Sequence, residues 1–390
     1  MLLPLALLAA APGAPAQTPD DFRSQATVRI GPLYLRPAFR LERLGIESNV
    51  FREPEPKRDF VASVAPQVDV WLPFYREAHV STTLVAGADW YARYAGERSF
   101  NPDVRSRIVV PLRRVTLTAG GQWLRTRRRP DFEINVRSNR FSRQAHASIA
   151  VRLLSRLSLD LEGRQRTVGF DGAAILEGTY LGETLNRRRR SAIASLRWRH
   201  SALTTFVVAS ELREVRFTRS PERNSDNLVL TAGADLHPRA LISGSARVGV
   251  RRFRARGAAV ADISAVVAEA DLSYRFRGRT AVNVRAERDI LYSFQRAAPY
   301  YVVERYGAAL SRQLGRRFDL GGRVTTDRYH YQQPARGLDV RWNAIGELGY
   351  RLNQKVRAGF EGGYVHWHSA TRPWQRHRAI VLGFLLLYDI

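Results

Sequence analysis

Apolar and polar residues alternate with a period of two through nearly the whole chain after residue 30, a rhythm that belongs to extended strands with two unlike faces. It is plainest in WNAIGELGYRLNQKVRAGFEGGYVHW, residues 342–367. Trp342, Ala344, Leu348, Tyr350 and Leu352 occupy even positions, and after Asn353-Gln354 the even series resumes with Val356, Ala358, Phe360 and Tyr364. Asn343, Glu347, Arg351, Arg357 and Glu361 hold odd positions. In a soluble sandwich the apolar face would pack on a second sheet. In a membrane barrel it would meet lipid, and the charges would line a lumen. The hairpin alone does not separate the two.

The rest of the chain does. Alternation predicts strands over about 33–44, 59–72, 78–94, 103–112, 115–126, 139–153, 157–168, 190–199, 203–217, 227–236, 241–253, 262–276, 280–292, 300–313, 317–330, 339–352, 355–366 and 377–390. That is about eighteen, an even number as single-chain bacterial barrels require. Short connectors, such as 112–114, 277–279 and 353–354, alternate with longer polar ones, such as 45–58, 127–138 and 169–189. Strict short-long alternation is the pattern of an up-and-down outer-membrane barrel, with short periplasmic turns and longer external loops. Greek-key crossings of a sandwich would break that order.

The opening MLLPLALLAAAPGAPAQ has an apolar core from Leu2 to Ala11 and a small-x-small cleavage pattern at Ala14-Pro15-Ala16, so residues 1–16 are expected to be a signal peptide. Residues 17–32 are expected to be an unstructured periplasmic lead-in, and 33–390 the barrel. The absence of cysteine fits export. After residue 17 no apolar run approaches the roughly 18 residues of a spanning helix, and the longest, 379–388, is about half that.

Charge narrows the partners. The 62 basic residues exceed the 36 acidic ones to give +26, and the only lysines are Lys57 and Lys355. Genome base composition accounts for arginine over lysine as readily as function does, but surplus positive charge needs an outlet in nucleic acid, anionic lipid or an acidic solute. Nucleic-acid binders concentrate basic residues on one patch of a compact fold. Here arginine is spread through alternating strands behind a leader, so no nucleic-acid partner is expected. The clusters RTRRR at 125–129, RRRR at 187–190 and RRFRAR at 251–256 fall at outer strand ends, where lipopolysaccharide phosphates are the expected partner.

If the apolar face meets lipid, the other face lines the pore. The expected pore-lining residues are Arg36, Arg40, Asp89, Arg93, Arg105, Arg107, Asp160, Glu162, Arg164, Arg166, Arg197, Arg247, Arg251, Arg285, Arg323, Arg341, Arg351, Arg357 and Glu361, with Asp69, Glu287, Asp289, Asp319, Asp327 and Glu347 among them. On lipid each mid-membrane arginine would cost roughly 2–4 kcal/mol. An arginine-biased lumen favours anions, because guanidinium keeps its charge and binds carboxylate or phosphate bidentately. The competing reading is a cross-lumen network of arginines and acids that fills space.

Aromatic residues gather at predicted strand ends, as the two interfacial girdles of a barrel would: Trp71, Phe74, Tyr75, Trp198, Tyr274, Phe276, Phe318 and Tyr350 near turns, and Trp90, Tyr91, Tyr94, Trp123, Phe253, Tyr292, Tyr329 and Trp367 toward loops. The last strand, RAIVLGFLLLYDI, sets Ile380, Leu382, Phe384, Leu386, Tyr388 and Ile390 in one row, as a terminal barrel-assembly signal would. Leu385 and Leu387 on its other face imply something apolar inside.

Catalytic signals are poor. No G-x-S-x-G elbow or Walker motif occurs. Asp160 and Glu162, sharing a strand face roughly 7 Å apart by strand rise, could be a glycosidase pair, but Arg164 and Arg166 on the same face favour an ion-pair ladder. His366, His368 and His377 surround one external loop and could bind metal, or be exposed loop histidines. No enzyme activity, cofactor or metal is expected.

The segment LERLGIESNVFREPEPKRDFVASVAPQVDVWLP resembles the β-barrel porin family found with exopolysaccharide biosynthesis and export genes. Gly45, Asn49-Val50-Phe51, Asp59-Phe60, Val64 and Pro66 carry the resemblance. It implies an outer-membrane barrel and secretion of an extracellular polysaccharide, although the basic character of this chain departs from the acidic loops usual there. The expectation is therefore an all-β barrel in a Gram-negative outer membrane, passing an anionic polymer or solute, with exopolysaccharide export first. A general anion-preferring porin and a closed structural or adhesin barrel are the alternatives. Its expected partners are outer-membrane lipid, the barrel-assembly machinery and periplasmic polysaccharide-export components.

Overall fold

A computed structural model describes residues 19–75, 77–129, 133–134, 136–172, 174–257, 262–295, 299–331, 337–370 and 375–389. The expected leader, 1–16, and the terminal Ile390 lie outside them. Twenty strands form one sheet; one is a three-residue piece, Val28–Ile30, and two are halves of a broken span, leaving eighteen strands that cross. They are β1 (Leu33–Glu47), β2 (Asp59–Val64 and Gln67–Tyr75), β3 (Ala78–Tyr91), β4 (Ser99–Pro111), β5 (Val115–Thr126), β6 (Arg140–Arg152), β7 (Leu157–Phe170), β8 (Arg187–Arg199) and β9 (Thr204–Phe217). The series continues with β10 (Ser225–Leu236), β11 (Ile242–Ala255), β12 (Ile263–Phe276), β13 (Thr280–Tyr292), β14 (Tyr300–Leu314), β15 (Phe318–Tyr331), β16 (Gly337–Arg351), β17 (Val356–Ser369) and β18 (His377–Asp389). Each pairs antiparallel with its neighbours in sequence, and β18 returns to pair with β1, so the sheet closes without an edge.

The alternation decides which face is which. In β16 and β17, Trp342, Leu348, Phe360 and Tyr364 are exposed on the outside, while Asn343 and Glu347 are buried. Register places Leu348 opposite Phe360 and Glu347 opposite Glu361, so both faces stay in phase across the ladder. At the turn, Asn353 Oδ1 accepts from the backbone N–H groups of Lys355 and Val356, both at 2.8 Å. A thirteen-residue strand is about 43 Å long, enough to cross the outer membrane when tilted by about 40°.

The rhythm fails in one place. β2 breaks at Ala65-Pro66, where proline has no N–H to give the ladder. Opposite it, β1 carries a register shift between Leu41 and Arg43. The bulge moves the inward row from even positions (Arg36, Arg40) to odd ones (Arg43, Glu47), leaving Leu44 and Ile46 outside.

The expected unstructured lead-in is instead ordered from Pro19. Pro19–Gln25 is a helix and Val28–Ile30 pairs with the start of β1 through a turn at Gly31, φ +57°. Phe22, 1 % exposed, packs on Tyr34, Trp71 and His79, with ring centroids 5.5–6.2 Å apart. Trp71 is therefore an inward residue covered by the N-terminal segment at the periplasmic mouth, not a girdle residue.

The girdle expectation splits in the same way elsewhere. Phe74, Tyr75, Trp90, Trp123, Trp198, Tyr274, Phe276 and Phe318 are exposed outside. Tyr91, Phe253, Tyr329 and Trp367 are buried, and with Tyr292, Tyr300 and Tyr301 they pack in clusters at the external end. Tyr300, Tyr301, Val302 and Val303 are successive and all buried, so the outer end of β14 is covered on both faces. The β12–β13 ladder ends at Ala268 and Arg288, leaving the outer ends of β13 and β14 free of β12.

Candidate functional site

The inward face builds the site. Along β4 the odd residues Asp103, Arg105 and Arg107 point in; along β7 the even residues Asp160, Glu162, Arg164 and Arg166 do, fixed by cross-strand partners that share their face. Eighteen strands leave an aqueous channel, so these charges stay hydrated and their pairing decides the local field.

Most of the expected pore residues are held by acids. Arg36 meets Asp69 at 3.0 Å, Arg285 meets Asp271 at 2.8 Å and Arg341 meets Asp327 at 2.9 Å. Arg251, 1 % exposed, binds Asp289 at 2.6 Å and also Asn227 and the Ile290 carbonyl. Arg197 joins Asp160 (3.6 Å) and Asp235 (2.7 Å), and Arg247 shares that Asp235. Arg357 bridges Asp319 and Glu347, Arg351 reaches Asp319 at 4.0 Å on the periplasmic lip, and Glu361 accepts from Arg43 at 3.2 Å. Glu162 is bound by Arg164 at 2.6 Å, and Arg105 by Asp103. The supposed glycosidase pair, Asp160 and Glu162, is thus committed to arginines.

Among the expected pore arginines, Arg40, Arg107 and Arg166 have no carboxylate within 4 Å in the described residues. Arg166 donates to Ser142 at 3.1 Å. Arg107 lies on the row of Gly120, His146 and Arg164 through successive cross-strand pairs. Arg323 is inward on β15 as expected. Arg93 is not a pore residue: β3 has ended, the side chain is exposed in the external turn, and its backbone N–H donates to Asp59. The three histidines do not converge either, since His366 and His368 face out and His377 faces in beside Trp367. No metal-binding cluster occurs among the described residues.

The external end is closed down by loops that fold inward. From the β5–β6 loop, Arg128 meets Asp89 (3.2 Å) and Glu42 (3.1 Å), and Arg137 meets Glu97 (3.0 Å) and Asp89 (3.6 Å). Burial works against the charge of Arg128, but Asp89 and Glu42 outweigh it and hold its pKa above the ordinary value. Arg129 and Arg52 shift the other way, through burial first and then through neighbouring guanidinium groups, with Arg52 pushed down to about 9. Further along the same loop, fully buried Glu133 accepts from Ser293 Oγ, the Phe294 N–H and the Tyr331 hydroxyl, tying β5–β6 to β13–β15 across the lumen. Arg223 from the β9–β10 loop donates to the Ser293, Phe294 and Gln295 carbonyls, and Gln375 donates to Glu177 at 2.6 Å.

The family described as "Putative beta-barrel porin 2" matches residues 24–381. The chain belongs to that family. Among solved structures the porin is similar to OccK2 (OpdF) of Pseudomonas aeruginosa, with TM-score 0.50, 10 % identity and coverage of 91 % of this chain and 98 % of that one. It is also similar to a BenF-like porin of Pseudomonas fluorescens Pf-5 (0.51, 8 %, 93 % and 100 %) and to OccK7 (OpdD) of Pseudomonas aeruginosa (0.51, 10 %, 93 % and 99 %). At that identity the likeness is one of fold. No match was found among curated proteins. The porin is an outer-membrane protein of a Gram-negative bacterium, a channel by family, and its strands do the crossing; no helix among the described residues is long and apolar enough to do so.

Alternation could have supplied several lumen residues that were not singled out. Glu211 and Arg213 on β9 and Asp235 on β10 sit in phase with their buried inward neighbours Val207, Val215 and Val229. Arg43 and Glu47 were hidden by the bulge. Glu133, Arg137 and Arg223 had no local signal, because an inward-folded loop looks like any other polar connector.

Proposed function

We propose that this porin passes small anionic solutes through an arginine-biased lumen. The observation that carries the reading is the pairing pattern: Arg107 and Arg166 on the β4–β7 wall are without a carboxylate, while Asp319, Asp327, Glu347 and Glu361 on the facing strands are each held by arginine. A solute anion crossing between the two walls meets open guanidinium groups on one side and spent acids on the other. The cross-lumen bonds of Glu133 and Arg223 favour a small solute over a polysaccharide chain, so exopolysaccharide export rests on family resemblance alone.

The test is reconstitution in a planar bilayer under a salt gradient. Anion-selective reversal potentials, and block of chloride current by glucuronate, a sugar acid of the size class expected to pass, support the reading. Cation selectivity would overturn it, and absence of conductance would favour the closed-barrel alternative.

A further inference from the structure

The external ends of β5–β8 carry a second set of arginines that point away from the lumen. Their direction follows from their neighbours: Ser142 on β6, Arg166 on β7 and Ser191 on β8 face in, so Arg143, Arg188 and Arg190 share the outer wall with Trp123 and Phe141. Register sets Trp123 opposite Arg143, Arg143 opposite Thr167, and Thr167 opposite Arg188, one row across four adjacent strands. Arg190 lies one step deeper and donates to Gln165 at 3.2 Å.

All three arginines are exposed, and none has a carboxylate within 4 Å among the described residues. The outward acids nearby are already engaged. Glu214 and Asp226 both meet Arg216, at 2.7 and 2.6 Å, and Arg256 takes the other oxygen of Asp226 at 2.7 Å. The far side of the barrel is different at its external end, where Phe60, Trp90, Trp342 and Ile380 face outward. Arg328 and Arg378 are exposed there too, but each stands singly and not in a row across adjacent strands.

Directly below it the same strands form a furrow of about 680 Å³. Ala147, Gly163, Ala192 and Ala194 give it a low floor, and Ile149 and Leu161 stand beside them. Along β6, Ala147 is four residues from Arg143, about 13 Å by strand rise. Phosphate groups held at the arginine row would leave an acyl chain in position to enter the furrow.

We propose that the outer wall of β5–β8 is a binding site for a phosphorylated, acylated lipid of the outer leaflet, of the lipopolysaccharide class. Arg143, Arg188 and Arg190 take its phosphates, and the furrow takes one of its chains. Guanidinium supplies the paired donors that phosphate oxygens accept, and uncompensated charge at the membrane interface adds to the attraction. The proposal is independent of what crosses the lumen.

It is tested on the full-length porin folded in detergent, titrated with lipopolysaccharide that carries or lacks its lipid phosphates. The triple variant R143Q/R188Q/R190Q should bind phosphorylated lipopolysaccharide at least tenfold more weakly, while R378Q, an exposed arginine of β18, should bind as the parent does. Heat-modifiable gel migration checks that each variant is folded; if the triple variant does not assemble, R143Q and R188Q singly should each weaken binding severalfold. Equal binding by folded parent and variants overturns the proposal, as does equal binding of dephosphorylated lipid by the parent. So does a lipid-free oligomer that the substitutions break, which would make this wall a contact between copies.

Discussion

Two stretches of the lumen wall solve the same charge problem differently. From β14 round to β1 the ion pairs run across strands: Asp327 of β15 lies between Arg305 of β14 (3.8 Å) and Arg341 of β16 (2.9 Å), Arg357 of β17 reaches Asp319 of β15, and Arg43 of β1 reaches Glu361 of β17. On β4–β9 the short pairs run along a strand, Arg105 with Asp103, Arg164 with Glu162 and Arg213 with Glu211. Cross-strand contacts among these strands are longer, at 3.6 and 3.7 Å, and a short bond leaving them joins Arg197 of β8 to Asp235 of β10 at 2.7 Å. A bond between strands clamps register; a bond within a strand neutralises its acid without doing so, and Arg107 and Arg166 remain without a carboxylate. The first wall ties strands together, and on the proposed reading the second is the one a solute anion meets.

The largest expected effect breaks the first wall. Asp327 is 5 % exposed and serves two guanidinium groups. D327N should lower the free energy of unfolding in lipid vesicles by about 3 kcal/mol, the cost of removing one partner from a buried ionic group. E162Q on the second wall, where the pair is a quarter to a third exposed, should cost no more than about 1 kcal/mol. Equal costs, measured by urea titration, would erase the distinction between the walls.

Selectivity should show the reverse order. R107Q/R166Q should lower the anion-to-cation permeability ratio by roughly threefold with little change in stability, since it removes open charge and not a buried bond. D327N/R341Q should barely move the ratio, because it removes one charge of each sign. Reversal potentials under a salt gradient distinguish the two, and a larger shift from D327N/R341Q would assign the field to the other wall.

Sequence rhythm made the barrel and most of its faces legible because membrane and lumen impose opposite polarities on successive residues. Trp342 and Phe360 could only go outside, Glu347 and Glu361 only inside. What it could not carry were departures from period two. In Leu41-Glu42-Arg43-Leu44 two polar residues lie between two apolar ones, and no pattern there says that one residue is extra; only Pro66 across the ladder hints at the slip. Aromatics near strand ends were equally ambiguous, since Trp123 at an interface and Trp367 under an inward loop have the same local surroundings in sequence. The loops hid most: nothing in residues 127–139 tells that Arg128 and Arg137 turn to Asp89 of β3 while Glu133 reaches across to Ser293 and Tyr331.

Glu133 tests whether that loop separates or joins the walls. Replacing it by alanine removes acceptors for Ser293, Phe294 and Tyr331, a local loss of about 1–3 kcal/mol. The barrel strands make none of their ladder bonds through it, so assembly should persist while single-channel conductance rises or becomes noisy. Unchanged conductance would show that the loop leaves the conducting path clear, and the two walls alone would then control passage.

The smallest effect should come from Arg93, which alternation places in the pore and the fold places outside it. Its contribution to structure is a backbone N–H given to Asp59, and any side chain keeps that bond. Its guanidinium is exposed in the external turn beyond β3, where salt at 0.15 M screens a charge within about 8 Å. R93Q should therefore leave the permeability ratio within error of the parent, against the severalfold change from R107Q/R166Q. If R93Q alone matched that change, anions would be selected at the external mouth by loop charge, and the inward arginines of β4–β7 would be lining rather than filter.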